Sequence, residues 1–339
     1  MYETLLPHLP TIWAALIGIA VAMYVILDGF DLGIGILFPL APDEADRDRM
    51  MNTVAPFWDG NETWLILGGG GLFVAFPLAY SVLMPALYLP VVLMLLALVL
   101  RGVAFEFRWP AKPNQHHFWD LAFSIGSTLA GFAQGLILGG MLQGIRVVDG
   151  RFAGGGLDWL TPFALTCGLG VAAGYALLGA TWLVMKTDGE LAARARAWAE
   201  RALLALLIAM VAVSLWTPLA IPRVAARWFT LPNLIVLSPI PLATAGMAYL
   251  LFRWLRTQRD IAPFLAAITL FLLGYAGLVI SNYPYLVPPS MTVTAAAAAP
   301  ESQYFMLIGT AVLLPVVLGY TVFVYYTFRG KVRVGEGYH

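Results

Sequence analysis

Four carboxylates near the start of the chain stand inside apolar or glycine-rich sequence. Asp28 and Asp31 fall in Leu27-Asp28-Gly29-Phe30-Asp31-Leu32-Gly33-Ile34-Gly35. Asp59 and Glu62 fall in Asn52-Thr53-Val54-Ala55-Pro56-Phe57-Trp58-Asp59-Gly60-Asn61-Glu62-Thr63-Trp64. Each pair is spaced i,i+3, which sets both members on one face of a helix. A charge at membrane depth costs on the order of a few kcal/mol, so it faces protein or water and marks an ion or proton path. Clustered carboxylates disfavour simultaneous ionisation, and the chemistry expected of such a set is proton uptake and hand-over. The competing reading is that Asp31 and Asp59 cap helix ends or pair with Arg47, Arg49 or Arg101. In Arg101-Gly102-Val103-Ala104-Phe105-Glu106-Phe107-Arg108, Arg101 lies deep enough to reach the cluster, whereas Arg108 reads as an interfacial anchor. Asp120 follows Trp119. It reads equally as a helix-start acid favoured by the macrodipole and as a functional residue.

The elements that position these residues are membrane helices. The chain has 339 residues, 60% hydrophobic and 11% charged, against about 25% charged in soluble domains. That excludes a soluble globular protein. Nineteen Lys and Arg balance 19 Asp and Glu, which excludes a nucleic-acid binder. Nine apolar stretches are expected to be spans, at about 11–38, 52–76, 78–105, 118–143, 160–185, 200–220, 230–254, 261–283 and 303–328. Residues 186–199 read as a short polar helix, 144–159 as a Gly-rich loop and 284–302 as a Pro- and Ala-rich connection. The chain begins Met-Tyr-Glu-Thr without a basic stretch, so the first apolar run is expected to be a span and not a cleaved signal.

Orientation follows from Lys and Arg in the loops. With nine spans and the N-terminus outside, only Arg146, Arg151, Arg223 and Arg227 fall outside; the other 15, including Arg333, fall inside. Fusing the second and third spans reverses the bias, to 6 inside and 13 outside. Counting about 20 residues per crossing from Ile12 and back from Phe76 puts all four carboxylates at one level near the inner boundary. Gly29, Gly33, Gly35 and the run Gly68–Gly71 read as close helix-packing positions.

Redox ligands are not expected in the spans. The histidines, His8, His116, His117 and His339, fall at span ends, in loops or at the terminus, and the single Cys167 excludes a Cys-based cluster. No haem axial ligand and no metal site is expected in this chain.

The runs 28–35, 52–64 and 101–108 closely resemble subunit II of cytochrome bd-type quinol oxidases. Trp119-Asp120, Gly139–Gly144, Gly179–Leu191 with Arg194 and Arg196, and Pro284–Pro289 match in order, so the resemblance covers essentially the whole chain. Its short length is nearer the compact, cyanide-insensitive oxidase branch. The resemblance implies a single all-α integral membrane domain of nine helices. These form two four-helix bundles, about 11–143 and 160–283, with a peripheral helix at about 303–328. It implies a homologous subunit I that carries haems b558, b595 and d and oxidises quinol at the outer face, while O2 is reduced to water with cytoplasmic protons. This chain would then support subunit I and line a proton pathway in the bacterial inner membrane. A quinone in its apolar interior, a small single-helix accessory subunit and bound lipids belong to the same picture. The family's Trp-Asp-Gly-Asn motif falls on Trp58, Asp59, Gly60 and Asn61. The pathway position falls on Asp59, and Asp28, Asp31, Arg101 and Asp120 fall on other characteristic polar positions. Glu62 and Thr63 depart from the Gln and Val of better-known members, so the resemblance carries a proton role to Asp59 more directly than to Glu62. Glu106 is read as a subunit-interface residue with Trp58, Asn61, Arg101 and Asp120.

The residues alone leave two other functions open. One is an ion-coupled secondary transporter, against which the acids lie near one face and not at the midplane. The other is a purely structural partner subunit.

Overall fold

The computed structural model describes residues 2–332; Arg333 and His339 lie outside the described residues. In chain order come α1 (Tyr2–Leu5), α2 (Leu9–Leu37), α3 (Glu44–Asn52), α4 (Trp58–Ala75), α5 (Pro77–Ala86), α6 (Tyr88–Arg108) and α7 (His116–Gln143). A hairpin, β1 (Val147–Val148) and β2 (Arg151–Phe152), leads to α8 (Pro162–Lys186), α9 (Gly189–Ala220), α10 (Pro222–Phe229), α11 (Asn233–Leu237), α12 (Pro239–Arg256) and α13 (Ala262–Asn282). A second hairpin, β3 (Tyr285–Val287) and β4 (Met291–Thr292), precedes α14 (Pro300–Thr327). The protein is an all-α polytopic membrane protein. Helices dominate because in hydrocarbon each backbone N–H and C=O must find its partner within the segment.

Among the described residues, eight helices are long and apolar enough to cross a membrane. A ninth crossing is counted when α4 and α5, bent by 119° at Phe76, are taken as one broken span. The stretch expected as one span at 78–105 is therefore two helices, α5 and α6, parted at Leu87. Proline explains both breaks. Pro77 excludes Phe76 from the helical region, and Phe76 sits at φ −137° and ψ 60°. Pro90 has no N–H to return to the carbonyl of Ala86, one turn back. The polar 186–199 segment is not a separate helix either; from Gly189 on it forms the first third of α9, which runs 32 residues without a break. The charged 40–50 loop contains α3, whose N-cap Asp43 accepts from the backbone N–H of Asp46 at 2.8 Å.

Helix α2 is the hub. It packs on α4, α7 and α8, while α6 pairs with α7, α9 with α8, and α12 with α13. Its contact with α8 is backbone to backbone: a Cβ on Gly33 would overlap the carbonyl of Tyr175 and the N–H of Gly179. The Gly68–Gly71 run splits. Gly68 and Gly71 face Val21 and Ile17 of α2, but Gly69 and Gly70 face no other described residue. The centre of the core is aromatic: Phe30 stacks on Trp182 at 4.1 Å, and Phe264 meets both edge-on. Helix α14 lies at the margin against α2 and α4, and Gln303 is its single buried residue.

Candidate functional site

The polar site is built where α2, α4 and α6 meet. Asp28 and Asp31 project from one face of α2 and are fully or almost fully buried. Arg101 of α6, 1% exposed, reaches both neighbouring helices. Its Nη2 donates to Asp28 Oδ1 at 2.6 Å and to Glu62 Oε2 at 3.1 Å. Glu62 is at the rim, with 29% of its side chain exposed. The Trp58 ring flanks the guanidinium, with its centroid 5.6 Å from Cζ, a cation–π arrangement that favours the charged form inside protein. A buried ion pair is tolerated only where its partners are well placed, and here three helices supply them.

Asp31 is held differently. No cation bonds it. Asn61 Nδ2 donates to Asp31 Oδ2 at 2.7 Å and to the Leu27 carbonyl at 3.2 Å. Asp31 Oδ1 is buried with no hydrogen-bond partner among the described residues. The Asn61 carbonyl end accepts from the Tyr325 hydroxyl of α14 at 2.9 Å. A second chain enters from the core. The Tyr175 hydroxyl donates to Gln134 Oε1, Gln134 Nε2 donates to the Tyr24 hydroxyl at 2.8 Å, and Tyr24 adjoins Asp28.

Three of the four carboxylates thus come together. Asp59, expected among them, is exposed on the outer side of α4, its carbonyl accepting from Thr63. Residues 59 and 62 are neighbours on the helix but about 60° apart around it, and the edge of the buried face runs between them. Glu106 is likewise exposed. Neither Arg47 nor Arg49 pairs with Asp31 or Asp59. Arg49 bonds Asp188 at 2.9 Å, and Arg47 bonds Asp120 at 3.3 Å.

Arg108 is no interfacial anchor. It is 1% exposed, with Nε on Asp120 Oδ1 and Nη1 on Asp48 Oδ1, both at 2.6 Å. Asp120 therefore serves as the buried counter-ion of Arg108 and Arg47; as the fifth residue of α7 it lies past the first turn, so it is not the helix-start acid expected. Further ion pairs fasten the same end of the molecule: Arg194 to Asp46 at 2.7 Å, and Arg196 and Lys331 each to Asp260 at 2.7 Å. Burial, and then the neighbouring Asp43, raise Asp46 above its ordinary value, against the pull of Arg194. Lys186 caps the chain after α14, donating to the Phe328 carbonyl at 2.6 Å between the rings of Phe57 and Trp182.

Sequence reasoning missed Tyr24, Gln134, Tyr175, Tyr325 and Lys186. Among the described residues no group of three or more His, Cys, Asp or Glu side chains is arranged to hold a metal ion.

Residues 9–328 match the family model described as cytochrome bd terminal oxidase subunit II. The chain belongs to that family. It is 30% identical over 360 residues to cytochrome bd-I ubiquinol oxidase subunit 2 of Escherichia coli (strain K12), an alignment covering 95% of this chain and 94% of the other. It is 28% identical over 334 residues to cytochrome bd ubiquinol oxidase subunit 2 of Bacillus subtilis (strain 168), covering 96% and 97%. A solved structure of bd oxidase from Geobacillus thermodenitrificans superposes with a TM-score of 0.75 over 95% of this chain and 99% of that one. At 16% identity that likeness speaks for the fold alone. As a bd-oxidase subunit II, the chain is part of an oxidoreductase complex, and a secondary transporter is set aside. Its intramembrane acids are then to be read within a respiratory complex.

Proposed function

We propose that this chain is the subunit of a bd-type quinol oxidase that supports a haem-bearing subunit I and admits protons to it from the cytoplasm. The complex oxidises quinol and reduces O2 to water in the bacterial inner membrane, with haems b558, b595 and d ligated by subunit I. That assignment is supported by the described histidines of this chain: His8, His116 and His117 stand at helix ends. The N-terminus lies outside and the C-terminus in the cytoplasm, a reading supported by the Lys and Arg bias. The helices group as two four-helix bundles plus α14, for which the pairings of α6 with α7 and of α12 with α13 speak.

The observation that carries the proton reading is Arg101, which joins the rim acid Glu62 to the buried acid Asp28 through one nitrogen. Asp59 of α4 and Glu106 of α6 are exposed and Glu62 is at the rim, and on the same two helices Ile66, Leu67, Val103 and Phe107 are exposed as well. Acids within an apolar face at membrane depth are costly against lipid, so this face is the one that subunit I covers. Protons enter at Asp59 and pass to Glu62. The Arg101–Asp28 pair ties α6 to α2 beside this route. Asp31 is the buried group that exchanges its proton with the interior.

The test is a tagged complex purified gently from native membranes. Its dithionite-reduced minus oxidised spectrum is expected to show b- and d-type haem bands with a larger second subunit; a colourless, partner-free protein would contradict the assignment. With haem content intact, Asp59→Asn is expected to lower oxygen-consuming turnover. Unchanged turnover would remove Asp59 from the path.

A further inference from the structure

Helix α14 touches the rest of the molecule mostly through apolar side chains, yet its last turns deliver one hydroxyl to the carboxylate cluster. Tyr325 donates to Asn61 Oδ1 at 2.9 Å, and Asn61 is itself 2% exposed. The other end of that amide faces two acceptors, Asp31 Oδ2 at 2.7 Å and the Leu27 carbonyl at 3.2 Å. An amide so placed has one satisfying orientation, with Nδ2 toward the acceptors and Oδ1 toward a donor. Tyr325 is that donor. Without it a buried carbonyl oxygen is left unmet, which costs more than an ordinary hydrogen bond contributes, and the amide loses the contact that opposes its rotation.

The orientation matters for Asp31. Because Nδ2 occupies Oδ2, the proton-carrying oxygen of Asp31 is the other one, Oδ1, which has no partner among the described residues. We infer that Tyr325 is a positioning residue for proton transfer: by locking the Asn61 amide it assigns proton exchange to a single oxygen of Asp31. This rests on the proton-path reading above. The hydroxyl is aimed by ring packing that does not depend on it. The Tyr325 ring stacks on Phe57 at 4.5 Å and meets Trp182 edge-on at 6.3 Å, and Lys186 holds the Phe328 carbonyl one turn on.

Tyr325→Phe keeps those ring contacts and removes only the hydroxyl. In the purified complex it is expected to retain full haem content while turnover falls about fivefold, the factor carried by one hydrogen bond of ordinary net strength. The pH profile of turnover and the infrared carboxyl band that is lost in Asp31→Asn should both move. A Tyr325→Phe complex with wild-type turnover, profile and band overturns the inference. So does reduced turnover with profile and band unmoved, which would mark a packing role only. Wild-type turnover in a haem-replete Asp31→Asn complex overturns the proton reading itself, whatever Tyr325→Phe does.

Discussion

Arg101 and Arg108 stand two turns apart on α6, each 1% exposed and each bonded to two carboxylates. By burial and pairing they are indistinguishable, yet their surroundings differ. Arg108 joins α6 to α3 and α7, through Asp48 and Asp120, and Asp120 has a second cation in Arg47. Removing any one member leaves the others partnered or near solvent, as in a fastening. Arg101 joins α2 and α4, and among the described residues Asp28 has no other cation bonded to it. One turn beyond Asp28 sits Asp31, buried and, among the described residues, bonded to a neutral amide alone. The lesson is that a buried arginine pair becomes a candidate site when it links a rim acid to an interior one and has an uncompensated acid beside it.

That contrast can be broken most forcefully at Arg101. Arg101→Ala strands Asp28 in the interior, a loss of about 3–5 kcal/mol. It is expected to remove most of the assembled complex, read as haem content per milligram of purified membrane. Arg108→Ala is expected to cost about half as much, because Asp120 keeps Arg47 and 41% of the Asp48 side chain is exposed. Its complex should assemble with a lowered thermal midpoint and normal turnover per haem. If the two variants lose haem equally, the distinction between site and fastening fails. Lysine at the two positions sharpens it further. Arg108 uses Nε and Nη1 toward two acids, a fork lysine cannot reproduce, whereas Arg101 uses Nη2 alone. Arg108→Lys is therefore expected to lose about 1 kcal/mol more than Arg101→Lys relative to the parent, measured by thermal unfolding of the complex. The smallest effect is expected for Asp120→Asn, which should leave turnover per haem within error.

Much of this contrast was legible in the sequence. Charges spaced i,i+3 in an apolar run give away both their face and their depth, so Asp28, Asp31, Glu62 and Arg101 could be named together. The outward turn of Asp59 could not, because i,i+3 spacing fixes two residues to within about 60° and not to one side of a boundary. Arg108 was misread because the end of a span suits an anchor and a counter-ion equally; its partners lie 12 and 60 residues away along the chain. Tyr24, Gln134, Tyr175 and Tyr325 left no signal. They are neutral, they sit in apolar runs as packing residues do, and Tyr325 meets Asn61 across 264 residues. The proline breaks at Phe76 and Leu87 were present as Pro77, Pro85 and Pro90, but hydropathy alone carried the expected span straight through the second.

The central claim is that Asp31, and not merely the charge pair beside it, exchanges protons. The most direct measurement is oxygen-consuming turnover of the Asp31→Asn complex at matched haem content, since the amide preserves shape and the Asn61 contact while removing the exchangeable proton. The account predicts a fall of at least about tenfold, the scale on which a positioned proton-transfer group acts. Turnover equal to that of the parent complex would contradict it.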